Sequence, residues 1–79
     1  MPPVRSPQHA ALGRAVRELR EQKGVSQEQL ATLSSLHRNY VGGIERGELN
    51  ISLAVIVKIA DGLGVSLGAL FTRADTLEE

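Results

Sequence analysis

The chain has 79 residues, with nine Lys and Arg against nine Asp and Glu, no Cys, no Trp, one Tyr and one Phe. This length is typical of one small domain with a marginal core, and the lack of Cys excludes disulfides and thiolate metal sites. The longest apolar run, residues 53–57, is far below the ~20 residues that a membrane-spanning helix needs. The N-terminus has no signal-peptide pattern. We therefore expect a cytoplasmic protein.

The charges are segregated along the chain, although they sum to zero. Residues 1–23 hold five basic against two acidic side chains, whereas residues 51–79 hold two against four. A neutral total therefore does not exclude a basic face that binds nucleic acid. Two aromatic residues are too few to stack unpaired bases, so we expect no binding to single strands.

Apolar residues recur at helical spacing in five stretches, each bounded by capping or stop residues. Ser6 and Pro7 are suited to begin the first helix, and Ser26 and Gln29 form a capping box for the second. The predicted helices cover roughly residues 8–23, 26–33, 37–46, 52–62 and 66–72. No stretch alternates with the period of a strand, so the sequence predicts a compact all-α domain of five helices.

The predicted helices define one domain at residues 8–73. Residues 1–7, which contain all three prolines, are expected to be a disordered leader. Residues 74–79 are expected to be a frayed tail.

The segment 27–46 contains two short helices joined by about three residues, which is the form of a helix-turn-helix. On a helical wheel of its second helix, Val41 and Ile44 face the core and Glu45 lies at the core edge. The opposite face is polar or small and has no acidic residue, with Asn39, Gly42, Gly43 and Arg46. Such a face fits the major groove of DNA.

The sequence resembles the lambda-repressor-like, XRE-type helix-turn-helix regulators over roughly residues 12–71. The matching positions are Leu19-Arg20, Lys23-Gly24, Ser26 to Ala31, His37 to Gly47, Asn50, Leu53, Ile59-Ala60 and Leu63 to Val65. The stretch Asn-Tyr-Val-Gly-Gly-Ile-Glu-Arg-Gly at residues 39–47 looks especially like the small controller proteins of restriction–modification systems. The resemblance implies a sequence-specific regulator that binds double-stranded DNA.

The resemblance also implies a role for individual residues. The expected base contacts are His37, Arg38 and Asn39, with Arg38 suited to guanine and Asn39 to adenine. The expected phosphate contacts are Gln27, Tyr40, Arg46 and Asn50. Arg20 and Glu45 match a structural ion pair that joins the first helix to the recognition helix. His37 is equally well explained as a helix cap.

Three features depart from the family pattern. Ser35 stands where the turn usually has Gly, so it must adopt a left-handed or similar conformation. Gly42 and Gly43 inside the recognition helix cost about 1 kcal/mol each relative to Ala. Glu48 adds an anion beside the expected phosphate contacts and is expected to weaken non-specific affinity.

The fourth predicted helix carries an apolar arc of about 200°, roughly twice the ~100° stripe of an ordinary surface helix. The fifth helix can cover part of this arc. We expect the remainder to form the interface of a homodimer, with Ile51, Val55, Ile59 and Leu67. Such a dimer would face a pseudo-palindromic operator with recognition helices about 34 Å apart.

No catalytic triad, phosphate-cradling Gly loop or ligand-spaced pair of histidines can be assembled from the sequence. We therefore expect a non-enzyme with no metal, no cofactor and no small-molecule ligand. The alternative function is a protein-interaction module, antitoxin-like or adaptor, that uses the same fold. This alternative is motivated by the neutral charge, by Glu48 and by the missing side chains at Gly42 and Gly43.

Overall fold

A computed structural model describes residues 6–48 and 51–78 of the chain. The described residues form helices and no strand, which confirms the predicted all-α class. The helices are α1 (Pro7–Lys23), α2 (Gln27–Leu33), α3 (Arg38–Glu45), α4 (Leu53–Leu63) and α5 (Leu67–Glu78). Of the predicted leader, Pro7 belongs to α1, while residues 1–5 lie outside the described part, as do Asn50 and residue 79.

The helices begin at hydroxyl and imidazole caps that the local sequence supplies. The Ser6 side chain accepts a hydrogen bond from the His9 N–H at 3.1 Å and so caps α1. At α2 the predicted capping box is present, because Ser26 Oγ accepts from the Gln29 N–H at 3.0 Å and Gln29 Oε1 accepts from the Ser26 N–H at 2.8 Å. These bonds satisfy N–H groups that have no partner within the helix.

The fifth helix is longer than predicted, and the expectation of a frayed tail is wrong for residues 74–78. α5 packs along α1 more extensively than any other pair of helices does. Ala74 is buried, Arg14 Nη2 donates to the Leu77 carbonyl at 2.7 Å, and Arg73 forms an ion pair with Glu18. Because α1 supplies these partners, the last two turns of α5 are ordered.

The core lies between α1, which packs on α3, α4 and α5, and α2, which packs on α3 and α4. Its largest fully buried side chains are Val16, Leu30, Val41, Ile44, Ile59 and Leu70, which come from all five helices. α3 is held on one side by α1 and on another by α2. The core therefore fixes the orientation of the predicted recognition helix.

Gly13 permits the close approach of α1 and α3. A Cβ built on Gly13 would collide with the carbonyl oxygens of Ile44 and Glu45, the latter at 2.6 Å. Both oxygens belong to the backbone and have no rotamer that moves them aside. Any larger residue at position 13 would therefore push the end of α3 away from α1.

Candidate nucleic-acid interface

The helix-turn-helix consists of α2, a short turn and α3. Leu36 N donates to the Ala31 carbonyl at 2.8 Å, which closes the turn on the end of α2. Ser35 has φ of 56°, so it adopts the left-handed conformation that the sequence predicts for this position. That conformation costs a non-glycine residue about 1–2 kcal/mol.

The wheel of α3 is correct for its apolar side and wrong for its glycines. Val41 and Ile44 are buried, as predicted. Gly42 and Gly43 are also buried, although the wheel places them on the outward face. Gly42 is covered because the Arg46 and Gln27 side chains reach over it, and helical angle alone does not reveal such a cover.

A polar cleft of about 560 Å³ separates the start of α2 from the outer face of α3. Its lining consists of Arg20, Ser26, Gln27, Glu28, Arg38, Asn39, Gly42 and Arg46. Four of the predicted DNA-contact residues therefore share one concave surface. Of the other three, His37 and Tyr40 are exposed outside this lining, and Asn50 lies outside the described residues.

A hydrogen-bonded network centred on Glu45 forms the base of the polar cleft. Arg20 Nε and Nη2 donate to the two Glu45 carboxylate oxygens at 2.7 and 3.2 Å, and Gln27 Nε2 donates to Glu45 Oε1 at 3.0 Å. The Arg20 and Glu45 side chains are only 13% and 4% exposed. The hydrogen bond that Arg20 donates to Glu45 raises the pKa of Arg20. This network joins α1, α2 and α3, and it contains the ion pair that the resemblance implies.

His37 is the N-cap of α3. Its Nδ1 accepts a hydrogen bond from the Asn39 N–H at 3.1 Å. An accepting Nδ1 carries no proton, so Nε2 is the ring nitrogen that carries one in the neutral imidazole. His37 therefore caps α3 in this structure, and its Nε2 is the ring nitrogen that can donate a hydrogen bond.

Each of the two arginines on the outer face of α3 lies beside a glutamate. Arg38 Nη1 is 3.6 Å from Glu28 Oε2, and both side chains are about two-thirds or more exposed. Arg46 Nε donates to Glu48 Oε1 at 2.9 Å, and the Glu48 side chain is only 28% exposed. Exposed pairs of the first kind contribute little, typically about 0–1 kcal/mol. The sequence singles out Glu48 as an anion near the phosphate contacts, but it gives no sign of the hydrogen bond.

The residues predicted for a dimer interface are only partly available in the structure. Ile59 is 1% exposed, so its assignment to an interface is wrong. It faces the core, where Val16 of α1, Ile44 of α3 and Leu70 of α5 line the same small gap. Ile51, Val55 and Leu67 are half-buried.

The exposed apolar residues of α4 and α5 are Leu53, Val57 and Phe71, at 63%, 38% and 41%. Leu53 and Val57 are one helical turn apart, and Phe71 lines an apolar pocket of about 300 Å³ with Ile51 and Ile56. We call these five residues together the α4–α5 apolar surface.

Within the described residues, no group of three or more His, Cys, Asp or Glu is arranged to hold a metal ion. In the same part of the chain, no single helix is long and apolar enough to cross a membrane. The helices at 53–63 and 67–77 pass that criterion only as a pair, and they are bent by 97°.

The chain is similar to proteins named as regulators, repressors or control proteins. The helix-turn-helix family matches residues 16–70. Control protein C.SmaI of Serratia marcescens is 44% identical over 62 residues, which cover 78% of this chain and 74% of that protein. Control protein C.BamHI of Bacillus amyloliquefaciens is 50% identical over 54 residues, 67% of each chain. The crystal structure of the restriction-modification controller protein C.AhdI from Aeromonas hydrophila superimposes with a TM-score of 0.75 at 51% identity, covering 77% of this chain and 92% of that one.

Proposed function

Because the chain belongs to the helix-turn-helix family of DNA-binding transcriptional regulators, we propose that it acts as a homodimer on a pseudo-palindromic double-stranded operator. More narrowly, it serves as the controller of a restriction–modification system, because similar proteins are named control or controller proteins. It acts in the cytoplasm, where its DNA target lies, and its function includes no catalytic step, cofactor or small-molecule ligand. The observation that carries the proposal is the polar cleft, which gathers Gln27, Arg38, Asn39 and Arg46 on one surface.

The first turn of α3 reads the bases. Arg38 and Asn39 are exposed at the N-terminal end of the helix, where a recognition helix meets base edges. A guanidinium matches the two acceptors of guanine, and a carboxamide matches the acceptor and donor of adenine. His37 is left with its Nε2 donor for a base, because its Nδ1 is occupied by the cap.

Phosphates are bound on either side of this turn. Gln27 Nε2 donates one of its two amide protons to Glu45. The second amide proton is the one that donates to a phosphate. The Tyr40 side chain is 38% exposed, and Arg46 is 61% exposed at the other end of α3. Asn50, which lies outside the described residues, completes the proposed set of phosphate contacts. Phosphate contacts of this kind fix the register of a protein on the duplex.

The α4–α5 apolar surface supports the homodimer. Leu53 exposes 63% of its surface. A chain of 79 residues has a small core, so it is stabilised when a second copy covers apolar side chains that would otherwise face water. A second copy would cover Leu53, Val57 and Phe71, with the half-buried Ile51, Val55 and Leu67 at the edge of the contact. A two-fold dimer places its recognition helices about 34 Å apart, one helical turn of DNA.

The alternative function is a protein-interaction module built on the same fold. It is favoured by the two glutamates, Glu28 and Glu48, that lie beside the cleft arginines and lower the positive potential there. An interaction module would bind a protein partner in a defined ratio, and that complex would not bind DNA.

Selection from a pool of random-sequence duplexes at low salt tests the proposal. We expect enrichment of a pseudo-palindrome whose half-sites are centred about 10 base pairs apart, and affinity that falls steeply with salt. A pool that stays unenriched after several rounds would contradict sequence-specific binding and would leave the interaction module as the better explanation.

A further inference from the structure

One side chain of the polar cleft is held by a carboxylate from the segment that follows α3. Arg46 Nε donates to Glu48 Oε1 at 2.9 Å. Arg46 Nη1 lies 3.1 Å from the place where a Cβ on Gly42 would stand, and Gln27 Oε1 lies 3.6 Å from it. The guanidinium is therefore bonded to Glu48 on its Nε side and extends across Gly42 into the cleft with its terminal nitrogens.

The position of Glu48 is fixed by the way in which α3 ends. Glu48 N donates to the Gly43 carbonyl and Gly47 N to the Ile44 carbonyl, both at 3.0 Å. Gly47 has φ of 71°, which completes a Schellman motif. A Cβ on Gly47 would also meet the α1 backbone at Ala10 at 3.0 Å, so the turn is closely packed. Glu48 is thus attached to the helix backbone next to Arg46.

The pair formed by Arg46 and Glu48 differs from the one formed by Arg38 and Glu28. The Arg38 pair is 3.6 Å apart and exposed at both ends, so Glu28 holds Arg38 only weakly. Glu48 is 28% exposed and forms a hydrogen bond of ideal length to the arginine. Of these two cleft arginines, Arg46 is therefore the restrained one.

We propose that Glu48 is a specificity-determining residue that acts by positioning Arg46. Because Glu48 fixes the Arg46 guanidinium in one position, Arg46 forms an ion pair only with a duplex whose backbone places a phosphate at that position. On any other duplex Arg46 cannot swing to a displaced phosphate without losing its hydrogen bond to Glu48. The negative charge of Glu48 repels the phosphates of every duplex alike, so it lowers affinity without affecting the choice of sequence. Since backbone shape depends on base sequence, this geometry favours the operator over other DNA. The inference rests on the proposed function.

Two substitutions separate the hydrogen bond from the charge. Glu48→Ala removes both, whereas Glu48→Gln removes the charge and keeps an oxygen that accepts from Arg46 Nε. For each variant, the affinity for the selected operator and for random-sequence duplex is measured at several salt concentrations. Both variants should bind random duplex about 2- to 5-fold more tightly, which corresponds to the range of partly exposed ion pairs. The ratio of operator to random affinity should fall about 2- to 5-fold in Glu48→Ala and stay unchanged in Glu48→Gln.

Two further variants test the assignment to Arg46. In an Arg46→Ala background, Glu48→Ala should no longer change the ratio of operator to random affinity. Glu21→Gln removes the same charge from α1, outside the lining of the cleft, and should leave the ratio at its original value. Melting curves of each variant check that the fold is intact.

Several results would overturn the proposal. A ratio that stays constant in both Glu48 variants would show that Glu48 acts as a charge alone. A ratio that falls equally in both would show that the acceptor does not matter, and a fall that persists without Arg46 would assign the effect to another residue. A selection that yields no operator contradicts the proposed function itself, and this inference with it.

Discussion

The ion pair between Arg20 and Glu45 joins the recognition helix to α1, so its removal tests how the helix-turn-helix is held. The Glu45 side chain is only 4% exposed in the intact protein, and Arg20→Ala would remove its charged partner. Gln27 would remain as a neutral donor at 3.0 Å. A buried carboxylate with one neutral donor is poorly compensated for its lost hydration.

The expected loss follows from this burial. Removing one partner of a buried pair costs about 3–5 kcal/mol, and the bond from Gln27 places Arg20→Ala near 3 kcal/mol. A domain of this size has a total stability of roughly 4–12 kcal/mol, at about 0.05–0.15 kcal/mol per residue. The midpoint of thermal unfolding should therefore fall by roughly 12–24 °C, at about 4–8 °C per kcal/mol.

Urea and thermal unfolding followed by circular dichroism measure this loss. Arg17→Ala is the matched control, because Arg17 pairs with Glu21 on the same helix at 3.6 Å and both side chains are more than half exposed. We expect less than about 0.5 kcal/mol for this control. A loss below about 1 kcal/mol for Arg20→Ala would refute the reasoning, since it would place Glu45 in an environment as well hydrated as the surface.

The pH dependence of the loss follows from the raised pKa of Arg20. A group whose folded-state pKa is raised contributes stability that is complete below its unfolded pKa and is lost only as the pH rises through the folded pKa. Arginine lies far above neutrality, so the loss in Arg20→Ala should be equal at about pH 7 and about pH 9. A loss that shrinks at the higher pH would contradict the assignment to Arg20.

Three further substitutions have expected outcomes that equilibrium unfolding or sedimentation can check. Gly13→Ala should destabilise the protein by about 1–3 kcal/mol, because the new methyl group collides with carbonyls of α3; an unchanged unfolding midpoint would contradict this contact. Ser35→Gly should raise stability by about 1 kcal/mol through relief of the left-handed backbone, and a lowered midpoint would count against that strain. Leu53→Glu should shift sedimentation towards the monomer and leave the monomer folded, whereas Leu33→Glu, at a residue that is 53% exposed against 63% for Leu53, should cause no shift; equal effects would remove the α4–α5 apolar surface from the interface.

Local signals predicted much of the fold. The caps at Ser6 and Ser26 depend on side chains within three residues of the N–H groups they satisfy, so sequence alone reveals them. The wheel of α3 correctly placed Val41, Ile44 and Glu45 because that helix has one narrow apolar side.

The errors came from contacts between residues that are distant in sequence. The apolar arc of α4 covers about twice the usual width, so its wheel could not show that Ile59 is buried and Leu53 exposed. The length of α5 depends on Arg14 and Glu18, which lie on the first helix. Burial of Gly42 depends on the reach of two long side chains, which a wheel does not represent.

The DNA contacts of the candidate site stay predictions, and the sequence gives no sign of the hydrogen bonds that connect its residues. The resemblance supplied Gln27, Arg38, Asn39 and Arg46, and the structure adds that they line one cleft. The bond from Gln27 to Glu45 was not expected from the sequence, because it joins helices that meet only after folding.

The first turn of α3 is proposed to read base sequence, and a second selection with Arg38→Ala tests this role most directly. We expect this variant to enrich the same pseudo-palindrome with its preference lost at one position in each half-site. At the original operator it should bind about 1–3 kcal/mol more weakly. Enrichment of an unaltered motif, or an equal loss of affinity on every duplex, would contradict base recognition by Arg38.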